Sequence, residues 1–331
     1  MMAIPMRATR RLSEAQVLAK PVVVIVGPTA VGKSRIAVEV AKAFETDVLT
    51  ADSRQVYRGM DVGTDKPASE ERQAVPHRLI DLVDPDESFN AGLYRRRAID
   101  EIERLYRDCR LPLIVGGTGL YVRTLLKGLC DAPQADPIMR EALRQEAEDQ
   151  GYDRLYARLV DVDPVIAARL HPRDESKVIR ALEVYQLSGR RMSEFQQEHG
   201  FAERPFAALM IGLNRDRDML YRRIEGRIDW QLAHGLIEET KQLLAQGYQR
   251  DSAAMKGLGY RQVAEHLAGE YDAAEMVRRF KRDTRHFSKR QMTWFRKEPG
   301  IQWLMIEESE PVQHTTTRVI EQIDRFLNTL T

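Results

Sequence analysis

The sequence predicts an α/β fold, a P-loop NTPase-like parallel sheet flanked by helices, with an inserted all-helical domain. Short β-branched runs alternate with amphipathic helical segments, which is typical of parallel sheets. One of these runs leads into a glycine-rich loop, and the strand pattern gives way to charged helical sequence near Gly128 before it returns. We therefore predict a disordered tail at 1–20, a discontinuous catalytic core at 21–128 and 206–331, and a helical insertion at 129–205.

Hydrophobic periodicity places the individual elements of this core. Apolar runs of four to eight residues bounded by turn residues predict strands, and apolar residues three or four apart predict helices. The strands are expected at 22–26, 48–51, 78–82, 111–115, 206–213 and 301–306. The helices are expected at 33–44, 93–106, 216–247 and beyond 306.

Composition and charge describe an ordinary globular chain of 331 residues, with 43% hydrophobic and 31% charged residues and a net charge of +1. No stretch approaches the roughly 20 apolar residues of a membrane span, and the N-terminus lacks the apolar segment of a secretory signal. Cys109 and Cys130 are the two cysteines and form no metal-binding motif. The composition therefore predicts a cytoplasmic protein with neither a disulfide framework nor a zinc finger.

The loop after the first strand has the GxxxxGK[ST] spacing of a phosphate-binding loop. Its glycines let successive backbone N–H groups turn inward, and the helix that begins near Lys33 adds its positive dipole end. The Ser34 hydroxyl can bind Mg²⁺. The alternative is a plain strand-to-helix turn. The loop comprises Gly27, Pro28, Thr29, Ala30, Val31, Gly32, Lys33 and Ser34.

Nucleotide-hydrolysing enzymes usually also have a strand that ends in an aspartate holding Mg²⁺. Here the strand at 111–115 ends in glycines, and the aspartate of the core is Asp52, after the second strand. A carboxylate at that edge of a parallel sheet lies where such folds bind ligands and can accept a proton from a nucleophile. The alternative interpretation of Asp52 is a turn residue that bonds to its own backbone.

The segment 276–297 carries nine Lys and Arg residues against one acid, Asp283, and interleaves them with aromatic residues. This charge pattern favours a polyanionic partner such as nucleic acid. The alternative is a solvated basic helix. Phe280 and Phe287 are seven residues apart and share a helix face, which predicts that both belong to the core rather than stack on bases.

Together these features resemble the bacterial-type tRNA dimethylallyltransferases, also called isopentenyl-tRNA or IPP transferases. The resemblance runs from about residue 22 to 303. It is carried by GPTAVGKS at 27–34, ADSRQVYRGMDVGTDKP at 51–67, PHRLIDLVDPDESF at 76–89 and LIVGGTGLYVRTLLKGL at 113–129. It continues in RALEVYQLSG at 180–189, RRIEGRIDWQLAHGLIEE at 222–239, GLGYRQ at 257–262 and KRQMTWFR at 289–296.

The resemblance implies transfer of the dimethylallyl group from dimethylallyl diphosphate to N6 of adenosine-37, 3′ of the anticodon in tRNA. The phosphate loop would then hold the donor's diphosphate, with Mg²⁺ bound by Ser34 and diphosphate oxygens. By the same resemblance Asp52 is the general base, Thr29 bonds the bridging oxygen of the scissile bond, and Arg223 grips the diphosphate. Arg222, its neighbour, makes that last assignment good to one position only.

The resemblance also implies tRNA contacts in four stretches and at two single positions, and a monomeric protein whose insertion closes over tRNA. The stretches are Asp52, Ser53, Arg54 and Gln55; Ser176, Lys177, Val178, Ile179 and Arg180; Gly257, Leu258, Gly259, Tyr260, Arg261 and Gln262; and Lys289, Arg290, Gln291, Met292, Thr293, Trp294, Phe295 and Arg296. The single positions are Thr118 and Arg140.

The sequence is also compatible with three alternative functions. An adenylate prenyltransferase would act on free nucleotides, but it would need neither the insertion nor the basic helix. A small-molecule kinase is favoured by the phosphate loop alone and would consume ATP. A non-catalytic RNA-binding module would keep its function without the Asp52 carboxylate.

Overall fold

The computed structural model describes residues 10–200 and 202–330, and these divide into two compact units. The larger unit extends to Leu126 and resumes at Pro205, and the smaller one spans Lys127–Arg204. The strands of the larger unit are β1 Pro21–Val26, β2 Val48–Thr50, β3 His77–Arg78, β4 Leu113–Gly116, β5 Ala207–Arg215 and β6 Ile301–Ile306. They form one all-parallel sheet in the order β3-β2-β4-β1-β5-β6, which confirms the predicted fold class.

The helices of the larger unit precede or connect these strands. They are α1 Glu14–Leu18, α2 Lys33–Ala43, α3 Ser69–Ala74, α4 Ala91–Arg107, α5 Gly119–Lys127, α11 Arg217–Ala233, α12 Leu236–Ala245, α13 Tyr260–Leu267, α14 Ala273–Arg296 and α15 Val312–Asn328. The smaller unit contains α6 Pro137–Gln150, α7 Tyr152–Val162, α8 Pro164–Ala167, α9 Glu175–Ser188 and α10 Met192–His199. No helix of the described ranges is both long and apolar enough to cross a bilayer.

Both faces of the sheet are buried, which explains why β1 is an unbroken apolar run rather than an alternating one. Val23 and Ile25 point into one core, together with α2, α11 and α15. Val22, Val24 and Val26 point into the second core, which α4 and α5 cover. Each of these five side chains is fully buried. The central strand therefore holds the loop that follows it on a rigid base.

The helical unit has its own small core. Leu143 of α6, Leu155 and Leu159 of α7, and Val178 and Leu182 of α9 are all at most 2% exposed and pack together. α9 ends at a glycine in the left-handed region, Gly189 with φ 69°, as C-capping glycines do.

Apart from shifts of one or two residues at element ends, the elements differ from the sequence prediction in three places. β3 has two residues rather than the five expected at 78–82. The helix expected over 216–247 breaks at Gly235, whose φ of 100° only glycine adopts without strain. The tail predicted at 1–20 is helical at α1, where Ser13 caps the Gln16 N–H and the Gln16 side chain accepts from the Ser13 N–H. Residues 1–9 of that tail lie outside the described residues.

Candidate active site

A cavity of about 740 Å³ lies at the carboxyl ends of β1, β2 and β4. Its walls come from the loops after β1 and β2, the end of β4, α11, the segment before α13, and α14. All of these belong to the larger unit. This is the edge of a parallel sheet at which open α/β folds bind ligands, and the predicted phosphate loop forms one wall of it.

The phosphate loop curls back on itself between β1 and α2. Gly32 has φ 110° and Ala30, although not a glycine, has φ 63°. The Lys33 Nζ donates to the Gly27 and Pro28 carbonyl oxygens at 3.0 and 2.8 Å. Burial lowers the pKa of Lys33 to about 8, against the opposing effect of the Asp52 carboxylate. The loop is thus closed by its own lysine, which retains a charge at neutral pH.

Arginines from three elements surround this loop. Arg223 of α11 donates through Nε to the Ala30 carbonyl oxygen at 2.9 Å, and Arg215 at the end of β5 donates through Nε to the Val31 carbonyl oxygen at 2.9 Å. Burial, then the charges of Arg35 and Arg227, lower the pKa of Arg223. We call Lys33, Arg35, Arg215, Arg223 and Arg227 the cationic cluster. Such a concentration of like charge beside inward-turned N–H groups is suited to a polyanion.

Asp52 faces the cationic cluster from the loop after β2. Its Oδ1 accepts from the Arg54 N–H at 2.8 Å, so the turn-forming interpretation is correct as geometry. Its side chain is nevertheless half-exposed, lines the cavity and interacts electrostatically with Lys33. The two interpretations are therefore compatible, because the backbone bond fixes a carboxylate that still faces the cavity. Ser53 beside it donates its N–H to the Thr118 hydroxyl at 3.0 Å.

Thr29 lines the same cavity from the middle of the phosphate loop. Its N–H donates to the Gln291 Oε1 of α14 at 2.8 Å, and the Gln291 Nε2 donates to the Gly117 carbonyl oxygen at 3.0 Å. The side chain of Gln291 is 7% exposed. The Thr29 backbone is therefore fixed by a hydrogen bond to Gln291, which lies 262 residues later in the sequence.

The segment before α13 forms the opposite wall. Gly257 and Leu258 of this segment line the cavity together with Tyr260 and Arg261 in the first turn of α13, as do the residues at 52–55. Tyr260 is 1% exposed as a whole, and its hydroxyl donates to the Glu239 Oε1 at 2.5 Å. Burial raises the pKa of Tyr260 far above its usual value, so the phenol stays protonated. Gly259 and Gln262 lie behind this wall, where the Gln262 Oε1 accepts from the Gly259 N–H at 2.9 Å.

The basic segment forms α14, and its predicted tRNA contacts separate into two faces. Met292 and Phe295 are buried, as is Gln291, so these three are core residues and not surface contacts. Trp294 is half-buried and stacks beneath the Arg123 guanidinium. The exposed face consists of Lys289, Arg290, Thr293 and Arg296.

The two phenylalanines of α14 also differ from the prediction. Phe280 is 2% exposed and belongs to the core, as expected. Phe287 is only half-buried, and it lines the cavity, as Phe280 also does, so the shared helix face borders the cavity as well as the core.

The helical unit carries the predicted tRNA contacts at 176–180 and Arg140, whereas Thr118 lies in the larger unit beside Ser53. Ser176 and Lys177 are exposed, whereas Val178 and Ile179 are buried in the core of the unit. The two arginines of this set, Arg140 and Arg180, both donate to the buried carboxylate of Glu183. Val178 and Ile179 are thus corrected to core residues, because α9 turns them away from the surface.

The sequence patterns did not identify three members of the cationic cluster, Arg35, Arg215 and Arg227. Arg227 lies one helical turn after Arg223, so the four-residue spacing in RRIEGR could have placed both on one face. Arg35 directly follows the phosphate-loop motif. Arg215 had no such signal, because its place beside the loop depends on β5 pairing with β1.

The chain is similar in sequence to one family model and to relatives that share one name. Residues 55–298 match the family model described as IPP transferase. The tRNA dimethylallyltransferase 1 of Trichlorobacter lovleyi is 46% identical over 294 residues, covering 89% of this chain and 96% of that relative. The tRNA dimethylallyltransferase of Geobacter sulfurreducens is 48% identical over 282 residues, 85% of this chain and 91% of its own.

Solved structures agree with these relatives. The tRNA isopentenylpyrophosphate transferase of Bacillus halodurans has a TM-score of 0.70 and 36% identity, covering 94% of this chain and 98% of its own. A eukaryotic dimethylallyltransferase acting on tRNA has a TM-score of 0.78 and 27% identity, covering 92% of this chain and 80% of its own. By sequence and by fold, the chain belongs to the IPP transferase family.

Proposed function

We propose that this protein transfers the dimethylallyl group of dimethylallyl diphosphate to N6 of adenosine-37 in tRNA, giving N6-(dimethylallyl)adenosine and diphosphate. The observation that carries the proposal is that one cavity contains a proton acceptor, Asp52, opposite a cationic cluster around a phosphate loop. Membership of the IPP transferase family supports it. A small-molecule kinase could also use the Asp52 carboxylate as a base, but it would need no basic helix beside the cavity.

The reaction requires a new bond from N6 to C1 of the dimethylallyl group, loss of the bond from C1 to the bridging oxygen, and loss of one N6 proton. Asp52 takes the proton, since its carboxylate faces the cavity. Thr29 donates to the bridging oxygen as it becomes charged. The cationic cluster, with Arg223 as its chief member, stabilises the departing diphosphate.

Mg²⁺ fits the phosphate loop as a partner of the donor's diphosphate. Ser34 is exposed in the first turn of α2 and lines the cavity. Among the described residues no three His, Cys, Asp or Glu side chains gather as a metal site. Mg²⁺ usually keeps several waters and binds through few protein ligands plus substrate phosphates. Ser34 would hold the ion together with diphosphate oxygens, and the ion would supply further neutralisation of the leaving group.

We further propose that the exposed face of α14 and the wall at 257–261 receive the anticodon stem-loop, with Ser176 and Lys177 of the helical unit as additional contacts. The target base must leave its stack for its N6 to reach Asp52 in the cavity, and leaving the stack costs least in a loop. We also propose that the protein acts as a monomer in the cytoplasm; the residues assigned to the reaction all lie in the larger unit.

The proposal is tested with labelled dimethylallyl diphosphate, Mg²⁺ and tRNA lacking the modification, with AMP, ADP and ATP as acceptors in parallel. We expect label only on N6 of adenosine-37 in tRNA, and none with Asp52→Asn, which should still bind tRNA. Label on free nucleotides would indicate an adenylate prenyltransferase. Hydrolysis of ATP without any transfer would refute the proposal.

A further inference from the structure

Gln291 occupies an unusual position for a residue of a basic helix. Its carboxamide is buried and uses both of its ends, accepting from the Thr29 N–H and donating to the Gly117 carbonyl oxygen. A primary amide supplies one acceptor and one donor at this spacing, and few side chains can replace it. The pair of bonds therefore specifies glutamine chemically and not only by size.

The two groups that Gln291 joins lie on different loops of the site. Thr29 follows β1 and Gly117 follows β4, and these strands are neighbours whose last residues, Val26 and Gly116, are paired in register. Loops at the ends of adjacent strands need a connection if their separation is to be fixed. The Gln291 side chain supplies that connection through its hydrogen bonds to Thr29 and Gly117.

The fit between α14 and the β4 loop is too close for larger residues. A Cβ on Gly117 would lie 2.3 Å from the Gln291 Nε2, and one on Gly119 would lie 2.1 Å from the Trp294 ring. Met292 and Phe295, on the same buried face, anchor the helix in the core. The helix is thus locked against the loop in one register.

The exposed face of this same helical segment carries the cations proposed to contact tRNA. Lys289 and Arg290 precede Gln291 directly, and Arg290 also lines the cavity. The same helical turn therefore exposes the charges of Lys289 and Arg290 on one side and contacts the phosphate loop through Gln291 on the other.

We infer that Gln291 is a positioning residue for the prenyl transfer: it fixes the Thr29 backbone so that the Thr29 hydroxyl meets the bridging oxygen of the donor. It is not a tRNA contact. The inference rests on the proposed function, because the role of Thr29 does. It adds a residue whose effect reaches the reaction only through Thr29.

The test measures single-turnover transfer at saturating tRNA and donor for Gln291→Met and Gln291→Glu. Arg278→Ala, at an exposed position of the same helix where the arginine pairs with Glu275, is the matched control. We expect a 10- to 100-fold slower transfer for Gln291→Met, with a tRNA Kd within twofold of wild type. The control should keep the wild-type rate. A wild-type rate at saturation, with the loss confined to a higher tRNA Kd, would overturn the inference.

A double-mutant cycle separates positioning from general destabilisation. If Gln291 acts through the Thr29 hydroxyl, Gln291→Met should slow transfer less than threefold in a Thr29→Ala background. Independent, additive losses would show that Gln291 acts by another route. The comparison uses rates per active enzyme, determined by active-site titration. A lower fraction of folded protein in one variant therefore does not affect the result.

Gln291→Glu provides a second readout that works even if the methionine variant does not fold. An ionised carboxylate can accept from the Thr29 N–H but cannot donate to the Gly117 carbonyl oxygen, whereas a protonated one can do both. The rate relative to wild type should therefore rise severalfold from pH 8 to pH 5.5, and a ratio independent of pH would count against the inference. If wild type transfers nothing, the proposed function fails. If wild type is active and both variants match it, only this inference fails.

Discussion

The Arg223 Nε donates to the Ala30 carbonyl oxygen at 2.9 Å and so ties α11 to the phosphate loop. Ala30 is in the left-handed region, at φ 63°, a conformation that costs a non-glycine residue energy unless its surroundings hold it. Arg222, one position earlier, points to the surface and pairs with Glu308 at 2.7 Å. Helix geometry thus separates two arginines that are equivalent in the sequence motif.

This separation predicts opposite outcomes for two adjacent alanine variants. Arg223→Ala should lower kcat/KM for dimethylallyl diphosphate by about 100-fold or more, the usual effect of removing one preorganised donor from a developing oxyanion. Arg222→Ala should stay within twofold of wild type. Steady-state kinetics with varied donor at saturating tRNA would check both, and equal losses would contradict the assignment to Arg223.

The lowered pKa of Lys33 predicts that donor binding depends on pH. The ammonium is charged below its pKa of about 8 and neutral above it. If the charge attracts diphosphate, the Kd for dimethylallyl diphosphate should rise about tenfold from pH 7 to pH 9, as one titrating group requires. Equilibrium binding over that range would measure it.

Lys33→Arg is the comparison for this experiment, because a guanidinium stays protonated throughout. Its Kd, even if higher overall, should be flat between pH 7 and pH 9. A wild-type Kd that does not change over the same interval would show that the lysine charge contributes nothing to donor binding.

Much of the fold and part of the site can be predicted because local signals specify them. β1 and the loop after it follow from a β-branched run and a glycine motif, and the structure confirms both. The break at Gly235 is a local signal that the amphipathic pattern of α11 and α12 concealed, since both helices keep their apolar faces inward. β3 ends at Arg78 because Leu79 and Asp81 have left-handed backbone conformations, with φ of 64° and 54°, through which an extended strand cannot continue.

The rest of the site depends on contacts between distant parts of the chain. Gln291 meets Thr29 across 262 residues, and Arg215 meets Val31 across 184. Neither contact leaves a spacing signal in the sequence, because each arises from the order in which strands and helices pack. The sequence predicts a basic helix, but the residues of that helix that face inward can be identified only once the sheet on which it packs is known.

The exposed face of α14 predicts an electrostatic contribution to tRNA binding. Within residues 10–200 and 202–330, neither Lys289 nor Arg290 forms an ion pair, so both charges are available to phosphates. Lys289→Ala and Arg290→Ala should each reduce the slope of log K against log salt concentration by about 1, since each phosphate contact releases a counterion. Arg278→Ala, which removes a charge already paired with Glu275, should leave the slope unchanged. Equal slopes for all three variants and wild type would rule out phosphate contacts here.

The last prediction concerns Glu183, which organises the helical unit. Its carboxylate is fully buried and accepts from Arg140, Arg180 and the Asp136 N–H. Burial alone would raise the pKa of Glu183, but the hydrogen bonds from the two arginines outweigh it and hold the pKa below 4.5. The stabilisation is therefore present above pH 4.5 and is lost as the pH falls toward the lowered value.

Glu183→Gln keeps the shape but removes the charge, so it should weaken the unit by roughly 3 kcal/mol at pH 7, the usual cost of breaking a buried ion pair. The measurement is protection of the α9 amides against hydrogen exchange, corrected for intrinsic rates. The difference in amide protection between wild type and variant should become smaller from pH 6 to pH 3.5. At low pH the Glu183 carboxylate of wild type is protonated and loses the charge that the glutamine variant lacks at every pH. A difference that persists unchanged at pH 3.5 would mean that Glu183 stabilises α9 by packing rather than by charge.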